Sequence, residues 1–239
     1  MIKSFLILIS FSTFLFSSQQ IVLVVADDFN TSKAKLECFE DGNIIHKSID
    51  VNIGKKGLGW GLGEIKLSQR KNDPIKVEGD KKAPIGVFKL SKVFGYSKNN
   101  NLSIPYIHTS KNLICVDDSN SKKYNKIISM PKEKPKSFEF MKRDDLQYKL
   151  GVVVEHNKNA EFKRGSCIFI HVQKKKNAGT AGCTSMKLEK LKKIVTWLDK
   201  KKNPILIQIP KSLSNEILKL YPELTSSRLL KNHTNLERN

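Results

Sequence analysis

Short apolar and β-branched runs recur along this chain with turn residues between them, at residues 21–25, 43–49, 87–90, 113–116, 151–154, 167–172 and 205–209. Runs of that length and spacing predict a mainly β domain. The segments Gly57-Leu58-Gly59-Trp60-Gly61-Leu62-Gly63 and Ala83-Pro84-Ile85-Gly86 place tight turns. No strand-to-helix frame with a following Lys-Ser or Lys-Thr accompanies the glycine run, so it reads as backbone turns rather than a phosphate loop. One or two helices pack beside the strands. In the clearer one, Leu188, Leu191, Ile194, Val195 and Leu198 fall at helical spacing between lysines, with Ser185 as N-cap and Asn203-Pro204 closing the segment. A less regular stripe with Phe138, Phe140 and Met141 predicts a helix over 137–146, and a short helix is expected over 213–220. The polar end from Thr225 to Asn239 is expected to be poorly ordered.

The start of the chain changes the compartment. Lys3 is followed by Phe5, Leu6, Ile7, Leu8 and Ile9 and then by a second apolar run over 11–16, a positive region plus a hydrophobic region too short to span a bilayer comfortably. Residues 1–18 therefore read as a signal peptide, 19–210 as one catalytic-size domain, and 211–239 as a partly disordered extension. The expected location is the periplasm or cell envelope. The formal charge of +20 gives a basic surface. On an exported monomer such a field attracts anionic wall polymers and lipid headgroups. Lys far outnumbers Arg, and nucleic acid is not an expected partner.

Four cysteines, Cys38, Cys115, Cys167 and Cys183, in an oxidising compartment ordinarily mean two disulfides. The surroundings of Cys183 argue that it is free. It follows Gly182 at the approach to the predicted helix, where a helix dipole and unpaired backbone N–H groups favour a thiolate and a developing oxyanion. His171, closing the strand over 167–172, is the candidate base. With Cys183 free, at most one bridge forms among the other three, and Cys115 with Cys167 is the candidate buried pair. Cys167 is also the rival nucleophile, since residues four apart on a strand share a face with one another and with His171. His156, after the 151–154 strand, is a further candidate base or substrate contact. His46, His108 and His233 share no metal-ligand spacing with a Cys or carboxylate, so no metal and no cofactor are expected.

The segment from Gly165 to His171, followed by Gly179-Thr180-Ala181-Gly182-Cys183-Thr184-Ser185-Met186, resembles the active-site signature of the L,D-transpeptidase (YkuD) catalytic domain, in which a strand-end His precedes a Ser/Thr-x-Gly-Cys turn. Glu78-Gly79-Asp80-Lys81-Lys82-Ala83-Pro84-Ile85-Gly86-Val87-Phe88 is similar to that family's Gly-Asp and Pro-x-Gly-x-Phe strand, with Ala83 where Thr is usual. Cys115-Val116-Asp117-Asp118, Tyr124-Asn125, Arg143-Asp144-Asp145 and Gly151-Val152-Val153-Val154-Glu155-His156-Asn157 extend the likeness over about 21–210. Ala181 stands where many members carry a second His, and the spacer from His171 to Cys183 is short. The resemblance implies a β-sandwich-like fold, with Cys183, His171 and Gly182 catalytic and Thr180, Thr184, His156, Asp118 and Tyr124 in contact with substrate. It implies attack on the diaminopimelate–D-alanine bond of a peptidoglycan stem tetrapeptide, with transfer to a second stem, to an envelope protein or to water. Lys174-Lys175-Lys176, in the spacer, are expected as a solvated loop or as one wall of an acceptor groove.

Overall fold

The computed structural model describes residues 18–98 and 101–231. The expected signal peptide lies outside them except for Ser18, as does the tail beyond Lys231 with His233. The strands are β1 (Gln20–Ala26), β2 (Lys33–Glu40), β3 (Asn43–Asn52), β4 (Leu58–Trp60), β5 (Ala83–Gly95), β6 (Tyr106–His108), β7 (Leu113–Val116), β8 (Ile127–Ser129), β9 (Phe138–Phe140), β10 (Leu150–Val154), β11 (Phe169–Val172), β12 (Thr184–Met186) and β13 (Ile205–Pro210). Two α-helices, α1 (Leu188–Trp197) and α2 (Ser214–Leu220), complete a mainly β fold. Each apolar run of the sequence became a strand. β11 starts only at Phe169 because Cys167 sits at φ 53°, a left-handed conformation that interrupts an extended chain. β2 escaped the pattern: Lys33, Lys35 and Glu37 break its apolar run, yet Leu36, Cys38 and Phe39 are fully buried.

The large sheet runs β10-β11-β12-β3-β2-β1-β13-β5-β4, and an added β10–β5 pairing joins its two sides into a closed ring of strands. β1 and β13 pair in parallel near its middle, and both are buried along their whole length. Such runs need cover on both faces. The inner face belongs to one hydrophobic core that includes Leu23, Phe39, Phe88, Val152 and Ile170, joined by Leu191, Ile194 and Val195 of α1. The end of the chain packs on the same body. Leu224 and Leu230 enter this core, and Ser227 Oγ donates a 2.6 Å hydrogen bond to the buried Glu37 carboxylate of β2. The expectation of poor order from Thr225 therefore does not hold as far as Lys231.

The helix expected over 137–146 is absent; β9 and a series of turns stand there. Phe138 and Phe140 stack edge to face at 5.3 Å, the meeting of residues two apart on a strand rather than three or four apart on a helix. β9 joins β7 and β8 in a small antiparallel sheet of order β8-β7-β9. A second core lies between this sheet and the large one, made of Phe94, Cys115, Met141, Tyr148, Cys167, Phe169 and Cys183. The fold thus places Cys183 outside the main core, beneath a covering sheet.

Candidate active site

β11 and β12 run in parallel, with Ile170 beside Thr184, His171 beside Ser185 and Val172 beside Met186. One step back along both chains brings Phe169 beside Cys183, and the Phe169 N–H donates to the Cys183 Sγ at 3.3 Å. Side chains alternate between the two faces of a strand. Ile170, Thr184 and Met186 therefore point one way, and Phe169, His171 and Cys183 point the other. The buried contacts agree: Ile170 and Met186 lie in the main core, and Phe169 and Cys183 in the second. Cys183 and His171 are diagonal neighbours on one face of adjacent strands. Gly151 of β10 sits opposite His171, and a Cβ there would come within 2.2 Å of the Phe94 ring, so this position must be bare for the aromatic packing beneath the site to close.

The turn before Cys183 is held from within. Thr180 bridges Gly54, its hydroxyl donates to the Cys183 carbonyl at 2.6 Å, and it accepts from the Gly182 N–H at 3.1 Å. Gly182 has φ 151°, in the region that favours glycine, and a Cβ on it would stand 3.0 Å from the Lys82 carbonyl. The expected helix start is displaced. Ser185 lies in β12, and α1 begins at Leu188 after an N-cap Lys187 that makes no side-chain cap. The three residues of β12, paired in parallel with β11 and antiparallel with β3, take the place of a helix N-terminus, so no helix dipole acts directly at Cys183.

Burial controls the electrostatics. It pushes the Cys183 thiol up to about 12, with the nearby Glu139 carboxylate adding to the rise and the Phe169 N–H, Lys76 and Arg143 opposing it. The thiol donates to the Cys167 carbonyl at 3.5 Å. Burial also holds His171 down to about 4. Its Nδ1–H donates to the Val172 carbonyl at 2.9 Å, which fixes the tautomer with Nε2 as the unprotonated nitrogen. The Tyr148 ring lies edge-on against His171 at 5.4 Å and against Phe169 at 5.5 Å. The resting pair is a neutral thiol and a neutral imidazole.

Cys115 and Cys167 form a disulfide, and Cys38 and Cys183 are free. The bridge removes Cys167 as rival nucleophile and ties β7 of the small sheet to the chain entering β11. Cys38 is buried in the main core, where desolvation drives its thiol far above the usual range.

Several sequence candidates land elsewhere. His156 is buried with both nitrogens engaged: Nδ1 accepts from the Leu62 N–H at 3.2 Å, and Nε2 lies 2.9 Å from the Arg164 carbonyl, to which it donates. With both ring nitrogens so engaged, it ties the glycine-rich segment to the loop before β11. Thr184 points to the opposite face from Cys183 and donates to Gln208 at 2.6 Å. The Thr180 hydroxyl is occupied within its turn. Asp118 accepts from the Asn120 and Lys136 N–H groups and organises a loop. Tyr124 is buried and donates to Glu78, which also accepts from Ser166. In this structure the hydrogen bonds of these side chains run to other parts of the chain and organise the frame of the site. The spacer lysines leave the far end of β11: the Lys175 carbonyl accepts from Asn52, and Lys176 lines a cavity of about 410 Å³ with Asp50 and Lys35. They stand as a solvated loop. Among the described residues no group of His, Cys, Asp and Glu is arranged to hold a metal ion.

Residues that pattern reasoning missed are those brought in by the small sheet and the loops around it. Tyr148 touches His171, and Glu139 acts on Cys183 through space. Buried Lys76 donates to Asp80 at 2.5 Å and stands 3.6 Å from where a Gly182 Cβ would be. Asp80 belonged to a quoted motif; Lys76, Glu139 and Tyr148 carried no local signal.

Fold and constellation together define a class: a mainly β domain with a strand-borne thiol and imidazole on one buried face. The L,D-transpeptidase catalytic domain profile, YkuD, matches residues 23–207, and the chain belongs to that family. No curated protein and no solved structure matches the chain.

Proposed function

We propose that this domain is an exported cysteine acyltransferase of peptidoglycan stem peptides, with Cys183 as nucleophile and His171 as base, forming 3→3 cross-links. The observation that carries the reading is the pairing of a free thiol with an imidazole on the same face of adjacent strands, the imidazole's Nδ1–H being fixed on Val172 so that Nε2 is the proton acceptor. In the first step the thiol turns from the Cys167 carbonyl toward Nε2, gives up its proton there, and attacks the carbonyl carbon of the diaminopimelate–D-alanine bond. The Cys183 N–H, beside a glycine that permits close approach, donates to the developing oxyanion. Collapse breaks the C–N bond, and D-alanine leaves with the proton from Nε2, giving a thioester. An amine of a second stem then attacks the thioester, His171 takes its proton, and the thiol is restored.

The closed site stores its proton on sulfur, because burial separates the two groups to about 12 and about 4. Water readmitted to the site would bring both values toward each other. Export is supported by Lys3 and the apolar run that follows it. The test is to incubate purified protein with disaccharide tetrapeptide. The expected result is D-alanine release, a stem-sized thioester on Cys183 and a 3→3 dimer, all lost in Cys183→Ser. Tripeptide without dimer at high acceptor concentration replaces the transpeptidase with an L,D-carboxypeptidase. No adduct and no D-alanine leaves a wall-binding module.

A further inference from the structure

The buried residues of the small sheet are apolar or disulfide-bonded, and beside them stands one half-buried carboxylate, Glu139. In β9 the register places Glu139 beside Cys115, so the two side chains share a face, and Cys115 is committed to the disulfide with Cys167. Glu139 therefore points inward, toward the large sheet and the second core, while its neighbours Phe138 and Phe140 lie on the other face. A three-residue strand that turns its one charged side chain inward needs a reason, since even partial desolvation of a carboxylate is costly unless it is hydrogen-bonded. Its partner is Tyr148, whose hydroxyl donates to Glu139 Oε2. The Tyr148 ring in turn meets three rings from β11 and β5: His171 at 5.4 Å, Phe169 at 5.5 Å and Phe94 at 5.6 Å, all edge to face. The Arg143 guanidinium covers the same ring at 5.1 Å and is itself held by Asp145 at 2.7 Å.

We infer that Tyr148 and Glu139 are positioning residues of the acyl-transfer centre, Tyr148 fixing the His171 imidazole and Glu139 setting the charge that the Cys183 sulfur faces. The inference rests on the reading of Cys183 and His171 as the reacting pair. Around the sulfur stand Glu139 from the small sheet, Lys76 from the loop before β5, Arg143 from the turn after β9, and Tyr148 from the segment before β10. Around Glu139 stand Tyr148, Asp117, Glu78 and Arg143. Burial first, then Asp117 and Glu78, raise the Glu139 carboxyl, and the Tyr148 hydroxyl opposes them by stabilising its charged form. A negative Glu139 disfavours a thiolate at Cys183. The covering sheet thus carries, on its inner face, a charge that adds to burial in keeping the sulfur protonated.

The test needs no substrate. Alkylation of Cys183 by iodoacetamide, followed by mass analysis of its peptide across pH, gives the thiol's midpoint directly, with Cys183→Ser as the blank. In Glu139→Gln the midpoint is expected to move down by about half a unit, about threefold faster alkylation at neutral pH. Tyr148→Phe keeps the ring on His171 and removes the donor that stabilises the Glu139 charge, so its midpoint moves in the same direction by less. Nitrogen-15 spectra of the His171 ring are expected to keep one tautomer in Tyr148→Phe and to lose it in Tyr148→Leu. Profiles of Glu139→Gln and Tyr148→Phe that superimpose on wild type, in proteins that melt cooperatively, overturn the charge-setting role and leave the pair a latch. A His171 tautomer unchanged in Tyr148→Leu overturns the positioning role. If Glu139→Gln does not fold, Tyr148→Phe carries the same test. Alkylation shifts in the variants together with a wild type that releases no D-alanine refute the proposed reaction and leave only the coupling of Glu139 and Tyr148 to Cys183 and His171.

Discussion

His156 and His171 are alike by most measures that a sequence or a titration offers. Each follows or closes an apolar strand, each is buried, and desolvation lowers each to about 4. They differ in one nitrogen. His156 spends both on the backbone, accepting from Leu62 and donating to Arg164, whereas His171 donates through Nδ1 to Val172 and keeps Nε2 for another partner. A depressed pKa therefore marks burial in both cases and does not by itself separate a proton acceptor from a loop tie. The number of ring nitrogens left over, and the face they open onto, does.

The largest expected effect breaks the pair apart by activity. His171→Gln should lower D-alanine release by about 10²–10⁴-fold, the usual worth of a positioned general base, with little change in melting temperature. His156→Gln should do the reverse. It leaves the Leu62 N–H or the Arg164 carbonyl without a partner in a buried place, at a cost of about 1–3 kcal/mol in denaturant unfolding, while the protein that remains folded keeps its turnover. Equal loss of turnover in the two variants would sink the assignment of roles.

Next in size is the disulfide. Replacing Cys115 and Cys167 together by Ser should destabilise the domain by about 2–4 kcal/mol. It also frees the small sheet over one histidine and not the other. The His171 titration, followed by NMR, should rise toward its ordinary 6.5 as water reaches it, and that of His156, under the glycine-rich segment, should stay near 4. A joint rise would mean that the tether holds the whole domain together rather than the cover alone.

How much of this was legible differs between frame and site. The strands were read from β-branched runs because local pattern is what builds a ladder, and Cys183, Gly182 and His171 stood out by motif. β2 was hidden by its lysines and Glu37, whose burial depends on Ser227 from the far end of the chain. Glu139 and Tyr148 were illegible for the same reason: their meaning comes from a register between β7 and β9 and from a ring contact to β11, which no window of sequence contains. The motif residues Thr180, Thr184, Asp118 and Tyr124 were visible as a group, but their direction was not. A side chain's face follows from strand register, and a shift by one residue reverses it.

Acid separates the histidines by stability. A neutral buried imidazole with a folded pKa near 4, against 6.5 unfolded, means that the unfolded chain binds more protons between those values. The stabilisation is therefore present above about pH 6.5 and is lost as pH falls toward 4, by about 1.4 kcal/mol per pH unit for each histidine in that window. His156→Gln and His171→Gln should each flatten that acid limb by the contribution of one group, seen in urea midpoints between pH 4 and 7. An acid limb unchanged in His156→Gln would mean that its ring is solvated in solution.

The smallest effect tests the two faces of one short strand. Thr184 is the residue after the nucleophile, the place where a sequence argument naturally puts a substrate contact. In β12, however, its hydroxyl donates to Gln208, whose amide donates on to the Pro84 carbonyl, so the side chain belongs to a hydrogen-bond chain that joins β12 to β13 and the start of β5. Thr184→Val keeps the shape and removes the donor to the Gln208 oxygen. The expected loss is about 1 kcal/mol of stability, near the worth of one neutral hydrogen bond, with KM and kcat for the tetrapeptide unchanged. Ser185→Ala, one residue on and on the face shared with His171, is the paired experiment. A change in KM with Ser185→Ala and none with Thr184→Val fits the register of β11 with β12. A KM effect at Thr184 alone would require the strand to sit one residue out of that register, which would also carry Cys183 to the opposite face from His171 and end the nucleophile–base pairing.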